Sequence, residues 1–217
     1  MFAGAFLTFS TAAGAIGADL LNSIVPSAGY FLFPFVFAWG LAYIVFLNAE
    51  LVTSNMMYLT AGVYQKNIRL SKAVTILLYC GIFNLIGAMI IGAAFAHSAA
   101  FNAMDVQHFI VHLVQGKAIR GNGQVLLEAV LANIFVNVAI LAFLLIKDDA
   151  AKMWIIISAI FMFVFLGEEH VVANFASFSI VKFSAVSPSL EFMNWFNLIR
   201  HWVVAFIGNT IGGGVIV

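Results

Sequence analysis

Charged positions divide this chain into long segments that carry none. Residues 1–18, 20–49, 73–104, 129–146, 153–167 and 202–217 hold no Asp, Glu, Lys or Arg. Apolar residues are dense in these segments and do not alternate strictly. That pattern predicts helices that are hydrophobic on all sides, not the strands of a membrane barrel. It marks six membrane spans, over 1–18, 30–62, 73–97, 125–146, 153–181 and 196–217. The first is expected to be a span and not a signal peptide, because no basic residue precedes Lys66. The longest polar connection runs from His97 to Gly123. No linker is long enough to separate soluble domains, so residues 1–217 are expected to form a single transmembrane domain.

Two of the spans are too long. At 1.5 Å per residue, the second would be roughly 50 Å as one helix and the fifth roughly 43 Å, against a hydrocarbon core of about 30 Å. Each has a polar interruption near its middle: Asn48-Ala49-Glu50-Leu51-Val52-Thr53-Ser54-Asn55 and Gly167-Glu168-Glu169-His170-Val171-Val172-Ala173-Asn174. Non-helical backbone at membrane depth survives where protein buries it or where it lines a wet cavity, and paired broken helices mark a substrate path in transporters built from inverted repeats. The two interruptions align: Glu50 with Glu169, Leu51 with His170, Asn55 with Asn174. The following spans also correspond, Asn84-Leu85-Ile86-Gly87-Ala88 with Asn209-Thr210-Ile211-Gly212-Gly213. Two three-span halves, about 1–100 and 120–217, are therefore expected. Three is an odd number of crossings, so the halves lie inverted in the membrane.

Composition narrows the class. Of 217 residues 64% are hydrophobic and 8% charged, where a soluble domain carries about 25% charge. A soluble globule and a disordered chain are both excluded. The formal net charge is zero, so no basic field exists to hold nucleic acid. Cys80 is the single cysteine, which excludes an internal disulfide and a thiolate cluster. Lys66, Arg69 and Lys72 follow span two, and Lys147 and Lys152 follow span four. Lys117, Arg120, Lys182 and Arg200 lie on the opposite side. The positive-inside bias then places both termini in the cytoplasm.

Few residues are left to carry chemistry. Glu50 and Glu169 are expected to be structural, accepting backbone N–H groups freed at the breaks, and Asn55 and Asn174 to satisfy loose backbone likewise. Asn84, Asn133 and Asn209 either bond between helices or line a pore. His170 has Leu51 as its repeat partner, so symmetry does not demand an imidazole there, and a histidine at a helix break is suited to carry a proton near neutral pH. Lys117 reads as a solvated loop lysine, with an electrostatic lure for anions as the alternative. Glu168 is expected to point out of the pore, since adjacent helical residues lie about 100° apart.

These motifs resemble the formate–nitrite transporter family of pentameric anion channels across nearly the whole length. The Gly167-to-Asn174 segment is similar to that family's Gly-aromatic-Glu-His-x-x-Ala-Asn motif, the Asn48-to-Asn55 segment to its loop in the second span, and Gly208-Asn209-x-x-Gly212-Gly213 to its last span. The resemblance implies an all-α protein of six transmembrane helices in two inverted three-helix repeats, with an aquaporin-like protomer and broken second and fifth helices. It implies that His170 is the central pore histidine and that the Thr53 hydroxyl bonds it. Leu51 and Phe163 would form the hydrophobic constriction on one side of His170, and Phe37 and Leu41 the one toward the cytoplasm. Lys117 would be the vestibule lysine, at the family's spacing from Asn133 in span four. Three positions depart from the pattern: Asn48 replaces a small residue, usually Gly; Val52 replaces a frequent Phe; and Glu168 replaces an aromatic residue.

The resulting expectation is a homopentameric, channel-like transporter in the cell (inner) membrane for small monovalent anions of weak acids, such as formate or nitrite. It would be coupled to protons, with passage as the neutral acid. Bilayer lipid, the anion and the proton are the partners, with no cofactor, no metal and no catalytic residue. The alternatives are an aquaporin-like neutral-solute pore, or an intramembrane metal-dependent enzyme using Glu168, Glu169 and His170. The first lacks Asn-Pro-Ala pairs, and the second lacks a His-Glu-x-x-His or Gly-x-Ser-x-Gly pattern.

Overall fold

A computed structural model describes residues 1–216. Nine α-helices account for most of them: α1 (Phe2–Ile24), α2 (Gly29–Phe46), α3 (Val52–Tyr64), α4 (Leu70–Ala96), α5 (Phe109–Ala118), α6 (Asn122–Leu145), α7 (Asp149–Phe165), α8 (Val171–Phe183) and α9 (Trp195–Thr210). A π-helical turn over Ile211–Val215 continues α9. Among the described residues four helices, α1, α2, α4 and α6, are long and apolar enough to cross a membrane alone. The pairs α2–α3 and α7–α8 occupy the ranges of the two overlong spans.

Local chemistry explains both interruptions. At the end of α2, the N–H of Asn48 donates to the Val45 carbonyl and that of Ala49 to the Ile44 carbonyl. At the end of α7, Gly167 donates to Val164 and Glu168 to Phe163. Both are Schellman closures, which need a residue in the left-handed region just after the helix C-cap, here Leu47 and Leu166. Gly167 has φ +78° and Asn48 φ +52°. Asn48 thus stands where glycine is usual because asparagine is a residue that visits this region routinely. Extended residues follow, Leu51 before α3 and His170 before α8.

The freed backbone groups are tied down by two asparagines in equivalent places. Asn84 of α4 accepts the Val52 N–H at 3.0 Å and donates to the Glu50 carbonyl at 2.9 Å. Asn209 of α9 accepts the Val171 N–H at 2.8 Å and donates to the Glu169 carbonyl at 2.9 Å and to Ala129 of α6 at 2.7 Å. The carboxylates of Glu50 and Glu169 accept from Asn55 and Asn174 instead, at 2.8 and 2.7 Å. The backbone service expected of Glu50, Glu169, Asn55 and Asn174 therefore falls to other residues. A short amide that reaches across from the next helix does it better, because it offers a donor and an acceptor together.

The polar connection from His97 to Gly123 is not simply a solvated loop. It contains α5, whose Phe109, Ile110, Val111 and Val114 are buried. The N–H of Phe109 donates to Asp19 at the far end of α1, at 2.8 Å. This anchors α5 beside α1 and α8, with Lys117 in its last turn. The outward face of α4 is apolar and exposed, including Leu78, Ile82, Phe83 and Ile90. In a bilayer that face meets lipid or another subunit.

Candidate functional site: a closed neck beside a charged cavity

Five of the residues singled out from sequence meet in one place. Phe37 and Leu41 of α2, Leu51, Phe163 of α7 and His170 surround a space of about 10 Å3 together with Leu7, Val136 and Ile160. Such a volume admits about one water molecule. Phe37 and Phe163 meet edge to face, with centroids 6.4 Å apart. These two rings also border a second cavity of about 40 Å3, which contains Lys117, Glu168 and Asn174. Leu51 borders a third, about 260 Å3, which contains Asn48, Glu50 and Asn55. The expected grouping of Leu51 with Phe163, and of Phe37 with Leu41, is therefore replaced. The phenylalanines face the Lys117 side, Leu51 faces the Glu50 side, and Leu41 lies one turn beyond Phe37 toward the break. The exchange follows from α2 and α7 packing against each other, which puts residues at similar heights on the two helices into contact.

His170 is buried at the end of the extended segment, 2% exposed. Its Nδ1 accepts the N–H of Ala173 at 3.2 Å, capping α8. A backbone N–H can only donate, so the ring hydrogen of the neutral imidazole sits on Nε2 and is shared with the Thr53 hydroxyl, 2.8 Å away. Thr53 lies in the first turn of α3, and Asn133 of α6 donates to its carbonyl at 3.2 Å. The two half-helices thus meet tip to tip across the neck through one hydrogen bond.

Behind His170 lies a buried charge cluster. Glu169 is fully buried. Its Oε2 accepts from Lys117 at 2.9 Å, Asn174 at 2.7 Å and His201 of α9 at 3.1 Å, and its Oε1 accepts from Arg120 at 2.7 Å. Arg120 also bonds Glu128 of α6 and the Gly167 carbonyl. Lys117 is 8% exposed and donates a second bond to the Glu168 carbonyl at 3.1 Å. It is neither a loop lysine nor a freely solvated lure. It is half of a buried ion pair, and it lines the cavity. Sequence reasoning does not single out Arg120, Glu128 or His201. The available signal is scarcity: in so apolar a chain, two cations three residues apart ahead of a span must find a buried carboxylate.

Glu168, expected to point away, lines the Lys117 cavity. The three groups of the enzyme alternative do not converge. The Glu169 carboxylate is turned into the charge cluster, His170 is bonded to Thr53, and Glu168 faces the cavity. Among the described residues no group of three or more His, Cys, Asp or Glu is placed to hold a metal ion.

Known proteins share this chain's sequence pattern and fold. The sequence profile described as formate/nitrite transporter matches residues 1–217. The chain is 32% identical over 178 residues to a protein of Bacillus thuringiensis named formate channel BtFdhC, an alignment that takes in 82% of this chain and 66% of that relative. The chain thus spans about two thirds of that relative's length. Among solved structures, one named FNT family ion channel superposes with a TM-score of 0.89 at 23% identity, over 99% of this chain and 83% of its own. Another, named pentameric formate channel with formate bound, gives 0.80 at 21% identity, over 98% and 89%. With the profile matched from end to end, this chain belongs to the formate/nitrite transporter family.

Proposed function

We propose that the chain forms a channel-like path for small monovalent anions of weak acids, of the formate or nitrite class, which cross the neck as the neutral acid. One observation carries this reading. An apolar ring of Phe37, Leu41, Leu51 and Phe163 closes on a histidine bonded as its neutral form, next to a cavity that contains Lys117. Moving a bare anion into such a neck costs on the order of 20 kcal/mol in the idealised limit, whereas a neutral polar group costs roughly 2–7 kcal/mol. Taking up a proton is the cheaper route, so anion and proton cross together. Lys117 offers its remaining N–H to the anion in the cavity. The Thr53–His170 bond keeps one polar contact available inside an otherwise greasy passage.

The same reading includes two inverted halves, about 1–100 and 120–217, supported by the matched closures at Asn48 and Gly167 and the matched ties from Asn84 and Asn209. It includes a homopentamer in the cell membrane among lipids, with both termini cytoplasmic. The pentameric formate channel of like fold supports the assembly, and the basic residues at 66–72 support the orientation. The test is uptake into proteoliposomes with formate, nitrite, hydrosulfide, lactate and chloride supplied in turn. Formate or nitrite should enter faster as external pH falls, and chloride, which has no neutral acid form at these pH values, should not. Chloride uptake equal to formate uptake would refute the neutral-acid route.

A further inference from the structure

One carboxyl group in the Lys117 cavity has no partner. Glu168 is half-buried, and its Oε2 is enclosed without any hydrogen-bond donor. The cations near it are engaged elsewhere: Lys117 from α5 holds Glu169 and a backbone carbonyl, and Arg120, which follows α5, holds Glu169, Glu128 and another carbonyl. The charges of Lys117 and Arg120 are already balanced by Glu128 from α6 and by Glu169. His170 is occupied at both ring nitrogens, and His201 from α9 is on the far side of Glu169. An ionised Glu168 would be an uncompensated carboxylate in a half-enclosed space and would repel the very anions that Lys117 attracts. A protonated Glu168 is a hydrogen-bond donor within the same cavity as the Lys117 ammonium and the Phe37–Phe163 entrance to the neck.

We propose that Glu168 hands the permeating anion its proton. The inference rests on the neutral-acid reading above and names the group that serves it. The anion settles against the free N–H of Lys117. The Glu168 carboxylic acid donates its O–H to an oxygen of the anion, and the proton transfers: Glu168–COOH and A⁻ become Glu168–COO⁻ and HA. The neutral acid passes between Phe37 and Phe163, and the carboxylate takes a new proton from water on the same side. No net charge crosses. His170 cannot play this part without loss. To accept a second proton, Nδ1 must release the Ala173 N–H and uncap α8; to give up the Nε2 proton, the ring must become an imidazolate. A carboxylic acid is also close in acidity to the acids being made, which is the condition for efficient transfer in both directions.

The test uses purified wild type, Glu168→Gln and Glu168→Asp in proteoliposomes, with formate uptake followed against external pH and membrane potential. Bulk formic acid falls about tenfold per pH unit above its own pKa. Glu168→Gln should follow that slope and run at least about tenfold below wild type near neutral pH, with the gap closing in acid. Glu168→Asp should keep the shallower wild-type profile. A second readout is the infrared carbonyl band of a protonated carboxyl group, present in wild type at neutral pH, absent in Glu168→Gln and shifted in Glu168→Asp. If wild-type uptake is electroneutral but Glu168→Gln has the same rate and slope, the Glu168 assignment fails and the neutral-acid route stands. If wild-type uptake follows the membrane potential, formate crosses as an anion and both fail. Should Glu168→Gln not assemble, the wild-type band and its shift in Glu168→Asp decide, and absence of the band overturns the proposal.

Discussion

At His170 one side chain does two jobs, and substitutions separate them. The Nδ1 acceptor caps α8, and the Nε2–H ties the ring to the Thr53 hydroxyl beside the neck. His170→Phe removes both. It should lower formate uptake sharply and reduce stability by about 0.5–2 kcal/mol through the lost cap. His170→Asn restores a capping acceptor and should recover the melting temperature but not the uptake. Unchanged pH-dependent uptake in an assembled His170→Phe protein would remove the histidine from the mechanism. Lys117 also changes meaning once its partner is known. A solvated lure would weaken with salt over a Debye length of about 8–10 Å, but a buried ion pair is screened far less. Lys117→Arg should retain most transport and stability. Lys117→Ala should lose transport and some of the about 3–5 kcal/mol typical of a broken buried pair, moderated because Arg120 and His201 still hold Glu169. A steep loss of wild-type uptake on raising salt would contradict this geometry.

At the level of elements, the two helix breaks are held by chemistry of unequal completeness. Asn209 satisfies three backbone groups and Asn84 two. Each buried group left bare costs about 1–3 kcal/mol. Asn209→Ala should therefore destabilise the protein more than Asn84→Ala, by thermal unfolding in detergent. The residue after the C-cap of α2 gives an independent check. Asn48 has φ +52°, so Asn48→Gly should be tolerated, while Asn48→Val should cost about 1–2 kcal/mol. Equal melting temperatures for these two would mean that the Schellman closure does not hold the break. The sequence alone shows where the breaks fall, because two spans overrun the bilayer and polar runs interrupt them. It does not show which polar residues close them. An asparagine within a span can serve its own helix, another helix or a pore, and only the approach of α4 and α9 to the breaks decides.

Over the whole molecule, the exposed surface carries the next expectation. A groove of about 520 Å3 runs between α4 and α9, lined by Leu78, Ile82, Trp195, Ile199, Val203 and Ile207 among others. If the proposed homopentamer forms, native mass spectrometry should find five copies, and this apolar groove is available to a neighbouring subunit. Ile82→Arg together with Ile199→Arg should disperse them if this groove is the contact; intact pentamers in that variant would move the contact elsewhere. The sequence by itself determined the membrane class and the two polar runs inside overlong apolar segments, because each is written in hydrophobic length or charge scarcity; the residues expected around His170 came from the family resemblance. It could not determine which constriction residues pair, that Lys117 is buried against Glu169, or that Glu168 faces the cavity. Those depend on how far one helix is turned against another, a quantity set by packing across distant segments and absent from any local stretch of chain. Glu168 illustrates the difference most directly: its neighbours in sequence are Gly167 and Glu169, but its chemistry is decided by Lys117 and Phe37, brought to it by α5 and α2.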